Sequence, residues 1–129
     1  MNINDLTYKV IGSAYKVHNV LGPGFLEKVY ENALLIELRK LGIHARQQVK
    51  LPVLYEGQRV GLYFPDLWIE NLLIVELKAT LSLSPEHEIK LLHYLTATGI
   101  DNGLLINFGN TVQIRRKFRE YKPGVRKYI

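Results

Sequence analysis

The sequence predicts a single mixed α/β domain. Its 129 residues are 47% hydrophobic and 22% charged, which is ordinary for one soluble globular domain of about 100–150 residues. Stretches whose apolar residues recur every three or four positions alternate with short stretches rich in β-branched and aromatic residues, as helices and strands do. Their order is helix, helix, three strands, helix, two strands, and the third helix allows a right-handed crossover between parallel strands. Since no repeat or long linker divides the chain, we expect residues 1–129 to form one domain.

The first two predicted helices precede all of the predicted strands. One runs from Asn4 to Leu21, with Asn4 or Asp5 as its cap, and it ends at Gly22-Pro23-Gly24, because glycine and proline interrupt a helix. The other runs from about Phe25 to Lys40, where basic residues suit the negative end of the helix dipole. Its apolar spacing predicts a buried face made of Val29, Ala33, Leu34 and Leu38.

The third predicted helix has the clearest start. Ser84-Pro85-Glu86 combines a capping residue, a proline at the first helical position and a carboxylate at the positive end of the helix. The helix runs to about Thr98, and Gly99 is its predicted terminator. The residues expected to face inward are Ile89, Leu92 and Leu95.

Strand composition marks five further segments. They are Ala45 to Leu51, Arg59 to Ile69, Leu72 to Leu77, Leu104 to Phe108, and Val112 to Phe118. Pro52 breaks or bends the chain after the first of them, and Pro65 lies inside the second. Since proline cannot donate a ladder hydrogen bond, Pro65 predicts an edge position or a bulge.

Positive charge is concentrated at one end of the sequence. The chain has a formal net charge of +5, but residues 115–129 alone carry +6, because Glu120 is their one acidic residue. The basic residues there are Arg115, Arg116, Lys117, Arg119, Lys122, Arg126 and Lys127. A basic segment beside a nearly neutral body indicates a polyanion partner such as nucleic acid. The alternative is a solvated tail.

The composition excludes several classes of site. The sequence contains no cysteine, so disulfides, thiolate zinc sites, iron–sulfur clusters and a cysteine nucleophile are excluded. The absence of cysteine also fits a reducing compartment, and we expect a cytoplasmic protein. No apolar run approaches the roughly 20 residues of a membrane span, so no membrane partner is expected.

The most informative pattern is an aspartate on one strand and a glutamate and a lysine on the next. If Glu70-Asn71-Leu72 forms a three-residue hairpin loop, Ile69 faces Leu73 and Asp66 therefore faces Glu76. Residues that face each other on adjacent strands lie about 4.5–5.5 Å apart at Cβ. Lys78 is two residues beyond Glu76 and shares its face. A two-residue loop would shift this register.

Two neighbouring carboxylates need a compensating charge. Mg²⁺ or Mn²⁺ is the obvious candidate, since Mg²⁺ binds one or two carboxylates together with waters and phosphate oxygens. The backbone carbonyl of Leu77 could add a ligand, and Lys78 could orient a nucleophilic water or stabilise charge on a phosphorus centre. The alternative is that Glu76 and Lys78 form an ordinary ion pair near a strand end.

A further motif lies where the second helix begins, in the residues Gly24-Phe25-Leu26-Glu27-Lys28-Val29-Tyr30. Three other segments accompany it: Val75-Glu76-Leu77-Lys78, Leu91-Leu92-His93-Tyr94-Leu95 and Asn107-Phe108-Gly109. With these residues the sequence resembles the PD-(D/E)XK nuclease superfamily and, within it, the small GxxExxY proteins, whose motif the first segment matches as written. The resemblance implies a restriction-endonuclease-like fold, in which a mixed sheet with the core order αβββαβ is flanked by helices. It also implies a metal-dependent nuclease centre.

The resemblance assigns roles to five residues of this chain. Glu27 would be the acidic residue on the helix, Asp66 and Glu76 the acidic pair, and Lys78 the motif lysine. The acidic metal ligands would thus be Glu27, Asp66 and Glu76, beside the Leu77 carbonyl named above. Lys90 stands where the family usually has glutamine. A lysine at this position could contact phosphate or the nucleophile, or it could mark a site that has lost activity.

Three functional hypotheses follow from these residues. The leading one is a metal-dependent nuclease that hydrolyses phosphodiester bonds in nucleic acid. The second is a catalytically inactive module that keeps the fold and binds nucleic acid or a protein partner. The third is a structural protein whose acidic cluster is an ion-pair network. Strands near the chain ends could also pair two copies into a homodimer.

Overall fold

The computed structural model describes residues 1–120 and contains ten helices and strands within that range. The basic residues Lys122, Arg126 and Lys127 lie outside the described residues. The elements are α1 (Ile3–Leu21), α2 (Glu27–Lys40), β1 (Ala45–Gln47), β2 (Leu51–Tyr55), β3 (Gln58–Tyr63), β4 (Leu67–Ile69), β5 (Leu73–Lys78), α3 (Pro85–Thr98), β6 (Asn102–Phe108) and β7 (Val112–Phe118).

Five strands form one mixed sheet in the order β1-β4-β5-β6-β7. The β5–β6 pair is parallel and the other pairs are antiparallel, so α3 is the predicted crossover. One face of the sheet packs on α1 and α2, where Leu6, Leu34 and Val75 belong to the larger core cluster. The opposite face packs on α3 through a second cluster that includes Ile74 and Leu95. The predicted mixed sheet between helices is confirmed.

The region between β1 and β4 differs from the prediction. The segment predicted as one strand from Arg59 to Ile69 is two strands, and Pro65 lies between them. The first predicted strand ends at Gln47, because the chain turns at Gln48, which has a φ of +51°. Strands β2 and β3 form a separate two-stranded sheet, in which Pro52 is paired with Leu62.

The helix boundaries agree with the sequence more closely than the buried faces do. Ser84 caps α3 with Pro85 at its start, and Gly99 ends it with a φ of +73°, as predicted. The predicted cap of α1, Asn4 or Asp5, is wrong: the cap is Asn2, whose side-chain oxygen accepts a hydrogen bond from the Asp5 backbone N–H at 2.9 Å.

The prediction that Val29 and Ile89 face inward is wrong. Val29 is 38% exposed and Ile89 is 50% exposed, whereas their helices bury Tyr30 and Leu91 completely. In α2 the reason is a tertiary contact that sets the rotation of the helix: the Tyr30 hydroxyl donates to the Gly22 carbonyl at 2.6 Å. In α3 the buried residues are Leu91, Tyr94, Leu95 and Ala97, which form the side of the helix that packs on the sheet, whereas Ile89 lies outside that side.

An aromatic stack joins α1 and α2 to the end of β6. The rings of Tyr30 and Phe108 lie parallel with centroids 4.5 Å apart. His18 stacks on the same Phe108 ring, and its Nε2 lies 2.8 Å from the Gly109 carbonyl oxygen. His18 is therefore a hydrogen-bonded structural histidine. None of the helices within residues 1–120 is long and apolar enough to cross a membrane.

Candidate active site

The predicted register of the β4–β5 hairpin is confirmed. Ile69 pairs with Leu73 and Leu67 pairs with Val75, so Asp66 lies opposite Glu76 at the point where β4 begins. Hydrogen bonds join these two positions directly. The Asp66 backbone N–H donates to Glu76 Oε1 at 2.8 Å. Asp66 Oδ2 in turn accepts a hydrogen bond from the Leu77 backbone N–H at 2.8 Å.

The two carboxylates lie on the α3 face of the sheet. Ile74 packs in the core beneath α3, and Glu76 and Lys78 follow it at alternate positions of β5, so they share that face. Glu76 is only 3% exposed. Asp66 is half-buried. A pair of acidic groups is thus held near the carboxyl end of β5, a strand whose residues Leu73–Leu77 are all buried.

Burial raises the pKa of three acidic groups at this site, Glu27, Asp66 and Glu76. The pKa of Glu76 rises from 4.5 to about 8, first because the side chain is buried and then because Asp66 is close. Burial likewise raises the pKa of Asp66, although the Leu77 N–H and the Gln48 side chain oppose the rise. Burial also raises the pKa of Glu27, against the opposing charge of Lys78. A positive charge placed among these carboxyl groups would therefore stabilise their ionised forms and lower their pKa values.

Lys78 and Lys90 supply positive charge without forming direct ion pairs. Both lysines lower the pKa of Glu27 and of Glu76, so they lie near both carboxyl groups. Within the described part of the chain, none of the ion pairs joins these lysines to Glu27, Asp66 or Glu76. The Lys90 amino group instead lies 5.6 Å from the centre of the Tyr94 ring. The alternative of a simple Glu76–Lys78 ion pair is not what this structure contains.

The structure fits a cation site built on two carboxylates. In a strand, the N–H and C=O of one residue point to the same edge, so the Leu77 carbonyl points towards the edge where its N–H meets Asp66. Each carboxylate oxygen that accepts one hydrogen bond keeps a further lone pair. Among residues 1–120, no three acidic or histidine side chains form a ready-made cation cluster. Two carboxylates, a carbonyl and waters are a donor set that suits Mg²⁺, and Glu27 stays a predicted ligand.

Two residues at the site were not predicted from the sequence. Glu31 is 2% exposed, and its oxygens accept hydrogen bonds from Lys28, Gln47 and Gln48. Gln48 also donates to Asp66. Glu31 could have been suspected, because it lies one helical turn after Glu27. Nothing in the sequence distinguished Gln48 from other polar residues at a strand end.

Tyr30, the last residue of the motif that resembles GxxExxY, has a structural position. Its hydroxyl donates to the Gly22 carbonyl and accepts a hydrogen bond from the Phe25 N–H at 3.2 Å. These bonds fix the loop that leads into α2, and Glu27 is the first residue of that helix. The tyrosine therefore helps to place the first turn that carries Glu27.

The described basic residues of the C-terminal segment are divided between the two faces of the sheet. Lys117 forms an ion pair with Glu88 of α3 at 2.6 Å. Arg116 lies on the other face, where it donates to Asn4 of α1 at 3.2 Å. Arg119 pairs with Asp101 at 2.9 Å. Several of these charges therefore have partners within the domain.

The fold and its strand-borne acidic pair define a restriction-endonuclease-like domain. Residues 4–120 match the family described as the PD-(D/E)XK nuclease superfamily, and the chain belongs to that superfamily. Among solved structures, the chain is similar to the crystal structure of SSO0001, with 17% identity and a TM-score of 0.57. The match covers 91% of this chain but only 62% of the other, and it shows the fold alone. A search of curated proteins found no match.

Proposed function

We propose that this protein is a nuclease that uses a divalent cation to hydrolyse phosphodiester bonds in nucleic acid. The observation that carries the proposal is the Asp66–Glu76 pair, in which each carboxylate accepts a backbone N–H from the strand of the other. Lys78 lies on the same face. Membership of the nuclease superfamily supports this reading. We also infer that, within the superfamily, the chain is one of the GxxExxY proteins.

The chain's own residues divide into ligands and charge-stabilising groups. Asp66, Glu76 and the Leu77 carbonyl would hold Mg²⁺ or Mn²⁺, with Glu27 as a further acidic group beside them. The bound cation supplies a water of lowered pKa and neutralises phosphate charge. Lys78 orients the attacking water, and its charge stabilises the negative charge that develops on the phosphoryl oxygens. Lys90 supplies a second positive charge at the same place.

A second candidate is a domain that binds nucleic acid or a protein partner without cleavage. It is favoured by Lys90, which stands at the family's usual glutamine position. Its charge, together with that of Lys78, already lowers the pKa values of Glu27 and Glu76. If the two lysines fully compensate the acidic groups, a cation is unnecessary. Both candidate functions include binding of nucleic acid, and both are compatible with a homodimer.

The test combines cleavage with thermal stability. Wild type is assayed on single- and double-stranded DNA and RNA with Mg²⁺, Mn²⁺ or a chelator, beside Asp66→Asn and Glu76→Gln. Asp101→Asn is the control, because Asp101 is an exposed aspartate that pairs with Arg119 away from the site. We expect metal-dependent cleavage by wild type and the control only.

The stability measurement gives an independent readout. A cation at a hundredfold excess over its dissociation constant stabilises the folded state by about 2.7 kcal/mol. Wild type and Asp101→Asn should show the corresponding rise in Tm, and the two site variants should lose it. If wild type shows neither cleavage nor a shift at millimolar metal, the nuclease proposal is wrong. Salt-dependent binding without cleavage would then select the second candidate.

A further inference from the structure

The turn that follows β1 brings Gln48 against the candidate acidic pair. Its Nε2 donates to Asp66 Oδ1 and to Glu31 Oε1, both at 3.1 Å. We propose that Gln48 is a positioning residue, which holds the Asp66 carboxylate in the orientation required for cation binding and hydrolysis. The consequence for activity rests on the proposed nuclease function, whereas the bridge itself does not.

The chemistry of the bridge permits one arrangement. Glu31 and Asp66 present acceptor oxygens to Gln48, and only the nitrogen of an amide can donate to them. Both hydrogens of that nitrogen are then used, one on each carboxylate. Since the two carboxylates repel each other, an amide that donates to both keeps them side by side. A carboxylate side chain at position 48 would add to the repulsion.

The backbone of Gln48 is held in a conformation that glutamine rarely adopts. Its φ is +51°, in the left-handed region where a side chain carries an energetic cost. Its N–H donates to the Asp66 carbonyl at 3.2 Å, so main chain and side chain both bind the same residue. Strained backbone of this kind persists where the surrounding structure requires it, and it is concentrated at functional sites.

The far end of the bridge is fixed. Glu31 is buried in α2, and Lys28 and Gln47 donate to its Oε2, each at 2.8 Å. Gln48 therefore ties Asp66 to a side chain that cannot move easily. The second oxygen of Asp66 accepts the Leu77 N–H, so both carboxylate oxygens have a donor. The neighbouring Gln47 also binds Glu31, but none of its hydrogen bonds reaches Asp66.

The first experiment separates the amide from the backbone conformation. Gln48→Gly removes the bridge and also relieves the left-handed strain, so the strain relief offsets part of the stability that is lost with the two hydrogen bonds. Gln48→Asn keeps an amide that tolerates this conformation but shortens its reach by one methylene. Glu56→Gly is the control, because Glu56 is an exposed residue at the β2–β3 turn with a φ of +50°.

We expect both Gln48 variants to bind Mn²⁺ at least tenfold more weakly by calorimetry and to lose at least tenfold in kcat. Losses of 10- to 100-fold are typical when a group that orients a metal ligand is removed. Glu56→Gly should stay within twofold of wild type in both. If Gln48→Gly and Gln48→Asn bind Mn²⁺ and cleave like wild type, the positioning role is overturned.

A second measurement tests the bridge without any metal or substrate. In ¹H–¹⁵N spectra, the Gln48 side-chain amide protons should exchange slowly in wild type and more rapidly in Asp66→Ala and Glu31→Ala, each of which removes one of the two acceptors. Unchanged exchange in both variants would overturn the bridge. If wild type neither binds metal nor cleaves while the amide signals behave as expected, the proposed nuclease function has failed and the bridge has not.

Discussion

The buried carboxyl of Glu76 makes the stability of the fold depend on pH. Its pKa is 4.5 in an ordinary environment and about 8 in the folded protein. Between these values the unfolded chain has released the proton while the folded protein still binds it. Stability therefore falls as pH rises, because the unfolded state binds fewer protons. Below pH 4.5 this contribution vanishes, and above about 8 the full destabilisation is present.

The magnitude follows from the two pKa values. At 1.36 kcal/mol per pH unit, the raised pKa of Glu76 destabilises the folded state by about 3 kcal/mol at pH 7 and by about 5 kcal/mol above pH 8. Glu76→Gln removes the titrating group. It keeps a side-chain oxygen that can accept the hydrogen bond which the Asp66 N–H donates to Glu76 Oε1 at 2.8 Å in the wild type. We therefore expect Glu76→Gln to match wild type near pH 5 and to exceed its stability increasingly at higher pH.

The assay is urea unfolding of both proteins from pH 5 to pH 9 with a chelator present, so that only the protein's groups respond. Glu37→Gln is the control of opposite sign, because hydrogen bonds from Lys16 and Lys40 lower the pKa of Glu37. That pairing stabilises the fold above the ordinary pKa and is lost as pH falls, so Glu37→Gln should gain nothing at high pH. A stability difference between wild type and Glu76→Gln that stays flat across this range would refute the reasoning.

Two further predictions concern a close contact and the basic strand. A Cβ added at Gly109 would lie 2.7 Å from the Thr80 carbonyl oxygen, so Gly109→Ala should cost about 1–3 kcal/mol of stability. A Cβ added at Gly12, inside α1, meets nothing within 4 Å, so Gly12→Ala should raise the stability by about 0.5–1 kcal/mol. The Tm of each variant is measured by calorimetry and compared with that of wild type. If Arg115 contacts duplex DNA, Arg115→Ala should reduce the slope of log K against log salt by about 0.9. An unchanged slope would show that Arg115 makes no phosphate contact.

The fold class and the acidic pair could be read from the sequence because they depend on local patterns. Ser84 and Pro85 mark the start of α3 through capping chemistry, and the structure begins the helix there. The face shared by Asp66 and Glu76 followed from counting residues through a short loop, since strand faces alternate with a period of two. Loop length and strand period are both properties of neighbouring residues.

Other features were decided by contacts between distant parts of the chain. Val29 and Tyr30 are adjacent and both apolar enough for the core, and the bond from Tyr30 to Gly22 decided which of them is buried. Strands β2 and β3 form a sheet separate from the main one, and the left-handed turn at Gln48 lies between β1 and β2. Helical spacing alone leaves such choices open, because a rotation of one residue changes the buried face with little change in local energy.

By itself, the sequence determined the three helices, the mixed α/β class and, given a three-residue loop, the register of the β4–β5 hairpin, but it missed β2 and the break at Pro65. Only the tertiary structure decided that Glu76 is buried enough to bind a proton near neutral pH. It also decided that Glu31 and Gln48 support Asp66. The physical reason is that burial and long-range hydrogen bonds arise when separate elements pack, and no local pattern in the chain encodes those distances.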